Sequence, residues 1–158
     1  MSDYIYMNGY AFSWESSILT IGTERFTGIT NVSYGQKRER GKGWGMNRSH
    51  RPTRRTSGKY TPNPLKMKGF ADTVQSIKDY LTSLAPDLRS YGNVIVPITF
   101  QLYEPTLGQI HRHFLDCTID EETNSHEESP DPAQDEIQFD HMGIFTNGGT
   151  LWDSTRGF

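Results

Sequence analysis

The run Val94-Ile95-Val96-Pro97-Ile98-Thr99-Phe100-Gln101-Leu102-Tyr103 alternates cleanly, with Val94, Val96, Ile98, Phe100 and Leu102 on one side. Successive side chains of a strand point to opposite faces, so the run predicts a strand with one buried and one wetted face. Pro97 brings no amide hydrogen to a ladder, which places the strand at an edge or gives it a bulge. Shorter strand signals surround it: Ile18-Leu19-Thr20-Ile21, then Phe26 to Tyr34, with Gly22 and Gly28 as punctuation. Tyr60 to Met67 reads as a strand weakened by Pro62 and Pro64. Ile110 to Ile119 reads as a strand with Leu115, Cys117 and Ile119 on one face. Ile137 to Phe145 is a last strand, and Asn147-Gly148-Gly149 a turn.

One segment breaks the two-residue period. Phe70, Val74, Ile77, Leu81 and Leu84 recur at helical spacing and form one apolar stripe, with Asp72, Gln75, Lys78 and Asp79 opposite. Pro86 ends that helix at Ala85. Strands, one helix and more strands predict a mainly β, mostly antiparallel fold with one flanking α-helix over about residues 70–85. A length of 158 residues and no useful internal repeat fit a single domain, 1–158.

Residues 36–59 obey neither period. They hold Gly41, Gly43, Gly45, Pro52 and Gly58, and Trp44 and Met46 are the only large apolar side chains before Tyr60. Such a stretch buries too little to order itself and predicts a long loop, ordered only on assembly. It is also the seat of a charge segregation that a net charge of −3 conceals. Between Gln36 and Lys68 lie eleven of the sixteen Lys and Arg residues, opposed only by Glu39. From His113 to Ser154 there is no Lys or Arg, and Glu121 to Asp135 reads as an acidic loop with Pro130 and Pro132. Such asymmetry points to a charged partner or to self-association.

Searches for chemistry mostly fail. No Gly-x-Ser-x-Gly elbow is present, and Cys117 reads as a small core residue on a strand. His111 and His113 share a strand face, but no His-x-x-x-His or second Cys accompanies them, so no metal site is expected. Gly35 to Gly43 departs twice from a phosphate loop. The acids lie where nothing fixes the separation a glycosidase needs. The expectation is a protein without catalytic residues, cofactor or metal. No run reaches the length of a membrane span, and Met1-Ser2-Asp3-Tyr4 does not open a signal peptide. A single cysteine makes a reducing compartment the simpler assumption. The basic stretch, with Trp44 and Tyr60 among its arginines, keeps three readings: a nucleic-acid arm, a solvated loop, or a surface that meets the acidic half of another copy.

In the order of its parts the chain resembles bacteriophage tail tube proteins. A strand pair is followed by the long polar loop, the exit Arg55-Thr56-Ser57-Gly58-Lys59-Tyr60, the amphipathic helix, the strand Val94–Tyr103 and a late strand ending in Asn147-Gly148. Ser129-Pro130-Asp131-Pro132-Ala133 matches the loop before the closing strand. The resemblance implies a β-sandwich or barrel, shared with the tubes of type VI secretion and contractile injection systems. It implies hexameric rings stacked into a hollow conduit, with phage DNA passing through the lumen without specific binding. It also implies tail sheath or other tail proteins as partners, no membrane, and a place in the virion tail after assembly in the host cytoplasm. Two features depart from the family pattern: the loop is unusually basic and contains Trp44, and a 147–158 extension follows the last strand.

An apolar fraction of 34% suits a chain that completes its burial by pairing edges with neighbours. The expected inter-subunit contacts set Arg40, Trp44, Arg48, Arg51, Arg54 and Arg55 of one copy against Glu121, Glu122, Glu127 and Glu128 of another. DNA is anionic, so the lumen is expected to carry more acids than exposed bases. The alternatives are a nucleic-acid-binding module using residues 36–60, and a tail terminator or connector of the same fold.

Overall fold

A computed structural model describes residues 14, 17–46, 50–52, 54–104, 108–147 and 149–150. The strands are β1 (Ser17–Ile21), β2 (Glu24–Phe26), β3 (Ile29–Glu39), β4 (Lys42–Gly43), β5 (Arg54–Arg55) and β6 (Lys59–Phe70). After the helix α1 (Ala71–Leu84) come β7 (Val96–Glu104), β8 (Gly108–Asn124), β9 (Gln134–Asp140), β10 (Ile144–Thr146) and β11 (Gly149–Thr150). Every strand pairing is antiparallel. The fold is thus mainly β with one helix, as the sequence predicts.

The strand order β2-β1-β7-β8-β9-β6-β3 forms two layers, because β8 belongs to both. Its first half pairs with β7 and β10, and its second half with β9. Between the halves Asp116 adopts φ 47°, and the pairing to β7 is irregular between Val96 and Ile98. A bulge of this kind bends a strand and lets it pass from one sheet to the other. It also shifts the side-chain alternation. Phe114 and Cys117 are both buried, and Leu115 turns outward at 38% exposure. Leu115 is therefore not on the face of Cys117, contrary to the reading from sequence. Pro97 sits at this bulge, and its carbonyl accepts the Gly22 amide.

The two layers meet over one core. Leu19, Ile21, Ile98, Phe100 and Phe114 come from the first layer, and Leu65, Met67, Ile137 and Phe139 from the second. At the far side of the second layer, Tyr34 of β3 sets its ring edge-on to Phe114, with centroids 5.0 Å apart. The Arg112 Nε donates to the Tyr34 hydroxyl at 3.0 Å. Trp14 stacks obliquely on Phe100 and donates its indole N–H to the Ile29 carbonyl, tying β7 to the start of β3.

Several boundaries differ from the expectation. β3 runs to Glu39, so residues 36–39 are strand, and β4 pairs with β5 inside the supposed loop. The described residues among 36–59 are therefore the outer part of a long β3–β6 hairpin. Pro62 and Pro64 are tolerated because the β9 ladder on the other edge of β6 begins only at Leu65. β8 extends to Asn124, which puts Glu121 and Glu122 on a strand and shortens the acidic loop to residues 125–133. The expected last strand is divided at residues 141–143, where His141 is fully buried.

In α1, Val74, Ile77 and Leu81 are buried against the core. Both ends of the expected stripe are corrected. Phe70 is the last residue of β6 and only partly buried, and Leu84 is 47% exposed. Ala85 closes the stripe instead, and Lys78, assigned to the wet face by its charge, is buried at 8% exposure.

Candidate assembly surfaces

The basic hairpin is built on backbone geometry rather than on a core. Lys42 and Gly43 pair with Arg55 and Arg54. The Gly41 amide donates to Thr56 Oγ1 at 2.8 Å and the Thr56 amide to the Gly41 carbonyl at 2.9 Å, closing the base of this ribbon. Gly58 turns the chain back with φ +79°, and a Cβ there would run into the Glu39 carbonyl oxygen. No other residue type fits that turn without strain. Arg38 donates to the Ser57 carbonyl, and the Tyr60 hydroxyl to Gln36 Oε1, so the root of the hairpin is cross-braced.

The tip is different. Arg40, Arg51, Arg54 and Arg55 are exposed, Trp44 is 60% exposed and Met46 92%. Arg48 lies outside the described residues, as does most of the 147–158 segment. The hairpin thus carries cations and two bare apolar side chains outward together. Large exposed apolar groups rimmed by charge mark interaction surfaces.

The acids divide into two sets. Glu121, Glu127 and Glu128 are exposed. Glu122 is engaged within the chain: its carboxylate lies 2.9 Å from Lys78 Nζ and accepts the Tyr91 hydroxyl at 2.9 Å. The Lys78 ammonium and the Tyr91 hydroxyl hold the Glu122 carboxyl below its ordinary range. The same contact, with some burial, raises the Tyr91 hydroxyl above its own. Glu122 is therefore an internal strut between α1, β8 and the turn at Tyr91–Asn93, already satisfied before any arginine of another copy arrives. Sequence reasoning missed this strut, and the only hint was a lysine on the shoulder of an apolar stripe.

Cys117 is fully buried, and burial pushes its thiol up to about 12. His111 and His113 share one face, with rings parallel and centroids 5.9 Å apart. Each already has a polar neighbour: Gln109 Oε1 lies 2.7 Å from His111 Nε2, and Thr99 Oγ1 lies 3.0 Å from His113 Nδ1. Among the described residues no group of three or more His, Cys, Asp or Glu side chains is placed to hold a metal. Among them, too, no helix is long and apolar enough to cross a membrane.

No known protein family and no curated protein matches the chain in sequence. Solved structures do match. The tube of an extracellular contractile injection system, from the PVC sheath–tube complex in its extended state, superposes with a TM-score of 0.56 at 16% identity, over 93% of this chain and 97% of that one. Hcp1 from Flavobacterium johnsoniae gives 0.56 at 13% identity, over 87% and 98%. A chain of the anti-feeding prophage baseplate gives 0.56 at 8% identity, over 84% and 91%. The chain therefore has the fold of this tail-tube group, along nearly the whole length of each relative.

Proposed function

We propose that this fold does here what its shape allows: the chain is a structural subunit of a tail-type tube. Six copies close into a ring, rings stack into a hollow conduit, and a phage genome passes through it. A sheath or other tail proteins surround the tube, which is assembled in the host cytoplasm and carried in the virion. The supporting observation is the near end-to-end superposition on injection-system tube proteins. The molecule's own features agree. Among the described residues β2, β3 and β11 end the sheet, each with one edge unpaired, and unpaired edges invite strands from another chain. Contacts between unlike surfaces build rings or open stacks.

Within this reading the hairpin tip is the joint between copies. Arg40, Trp44, Arg48, Arg51, Arg54 and Arg55 meet Glu121, Glu127 and Glu128 of a neighbour, and Glu122 braces the strand that carries Glu121 and leads into the loop of Glu127 and Glu128. Opposite charge brings the surfaces together in register, and Trp44 and Met46 supply apolar contact once they meet.

A second reading has an observation of its own. The sheath/tube terminator of the same injection system in its extended state superposes equally well, with a TM-score of 0.56 at 13% identity over 87% of this chain. Such a subunit forms one ring and stops. Negative-stain microscopy of the purified protein separates the readings. Long hollow tubes are expected. Isolated rings select the terminator. Monomers that bind DNA with a steep salt dependence select a nucleic-acid module and reject both.

A further inference from the structure

The corner where β8 passes between the layers carries bare apolar groups. Leu115 is 38% exposed and Met142 65%. Both belong to one bulge: the Leu115 amide donates to the Gly143 carbonyl at 3.0 Å, and the Met142 amide to the Leu115 carbonyl at 2.9 Å. Two residues of one segment thus oppose one of the other. Exposed apolar side chains standing together mark a surface that something covers.

The strand β11 is aimed at this corner. Phe145 pairs with Thr150 and Thr146 with Gly149, across the turn at Asn147, whose φ is 49°. The same register carried onward sets residue 151 opposite Ile144 and residue 152 opposite Gly143. The sequence there is Leu151-Trp152, which lies outside the described residues.

Hydrogen-bond directions agree with that path. Gly143 and Asn147 turn main-chain groups toward β8, through their bonds with Leu115 and His111. Main-chain groups alternate sides along a strand, so those of Ile144 and Thr146 point to the β11 side. Side chains alternate as well. Phe145 stands across from His113, which is exposed two positions before Leu115, while Ile144 stands across from Phe114 and is 6% exposed. In this register Leu151 falls on the Ile144 side and Trp152 on the Leu115 side.

Gly143 adds an independent sign. Its φ is not in the left-handed region, and a Cβ there would meet Leu115 Cδ1 at 3.8 Å, an ordinary contact. Its own backbone therefore does not demand glycine. The missing side chain leaves a flat place beside Leu115, and an aromatic ring opposite a strand glycine covers such a place.

We infer that residues 151–152 continue β11 on their own chain, with Leu151 beside Ile144 and Trp152 laid over Gly143 against Leu115. The occupant is this chain and not a second copy, because Thr150 already stands one residue from the place and no further loop has to close. The segment after β11 is then a clasp on the outside of the bend at Asp116.

Two measurements on the full chain test this. In the native protein, amide hydrogen exchange is followed with residue resolution. Exchange at Leu151 as slow as at Thr146 is expected, and exchange at the rate of an unfolded chain overturns the inference. Separately, Gly143→Cys is combined with Trp152→Cys under a mild oxidant. Opposed positions of neighbouring strands lie close enough to link. Cys117 is buried with its thiol pushed up, so it gives little background. The expected result is loss of both introduced thiols to a disulfide within one chain, with faster migration on a gel run without reductant. Gly143→Cys with Asp153→Cys, one residue out of register, is expected to link much more slowly. Equal linking of the two pairs, or none, overturns the register. Linking only between chains overturns the assignment to the same chain. The exchange measurement needs no variant to fold.

Discussion

At the scale of single residues, two satisfied polar partnerships and one glycine turn carry expectations for stability. Glu122→Gln removes the charge opposite Lys78 and weakens the bond from Tyr91, and the expected loss is about 1–2 kcal/mol, discounted because Glu122 is partly exposed. The folded-state carboxyl lies below its unfolded value, so its contribution is present above the unfolded value near pH 4 and fades as pH falls through the folded one. Denaturant melts of wild type and variant should thus differ at pH 7 and converge in acid, and a gap independent of pH would refute the strut. Gly58→Ala meets both a positive φ and the Glu39 carbonyl, and about 1–3 kcal/mol of strain is expected at the hairpin base. Faster proteolysis within residues 41–57, with the rest of the chain protected, is the readout. His141→Ala should cost more, about 2–4 kcal/mol, because it opens a cavity beside Phe114 and leaves the Asn63 carbonyl without its donor. A change in melting temperature smaller than that of Glu122→Gln would show that the site collapses without cost. None of these partnerships was legible in sequence. Lys78 and Glu122, or His141 and Asn63, are brought together only by the layering, and no local spacing records it.

Elements were legible in proportion to how regular their burial is. β7 was read almost residue for residue because its apolar side never breaks from Val96 to Leu102. The helix was found from its stripe, and its last contact was misplaced by one residue because Ala85 is too small to stand out beside Leu84. β8 was misread where Asp116 takes a left-handed conformation, since that one dihedral moves Leu115 outside while leaving Cys117 in the core. The hairpin at 36–59 looked like a loop because its pairing is carried by backbone and by arginines, which leave no apolar period. Its role is tested at this scale. Arg51→Glu, Arg54→Glu and Arg55→Glu combined should convert long tubes to short ones or rings at physiological salt while leaving the subunit folded. Adding Glu121→Lys, Glu127→Lys and Glu128→Lys should restore length. Each exposed pair contributes only about 0.2–1 kcal/mol, but a stacked ring repeats it in every copy. Tubes of unchanged length in the triple variant would remove the hairpin from the joint.

For the whole molecule, the proposed tube has part of the burial completed between copies, at the sheet edges left unpaired among the described residues. Melting temperature should therefore rise with protein concentration and with tube length, as mass action requires when only the folded chain associates. A melting temperature indifferent to concentration would mean a self-sufficient subunit. The seventeen-residue strand β8 has a further consequence. Because one backbone threads both layers through the bend at Asp116, a force that slides one layer along the other loads the covalent chain together with the ladders and the shared core. The layers are thus tethered by the chain itself as well as by packing.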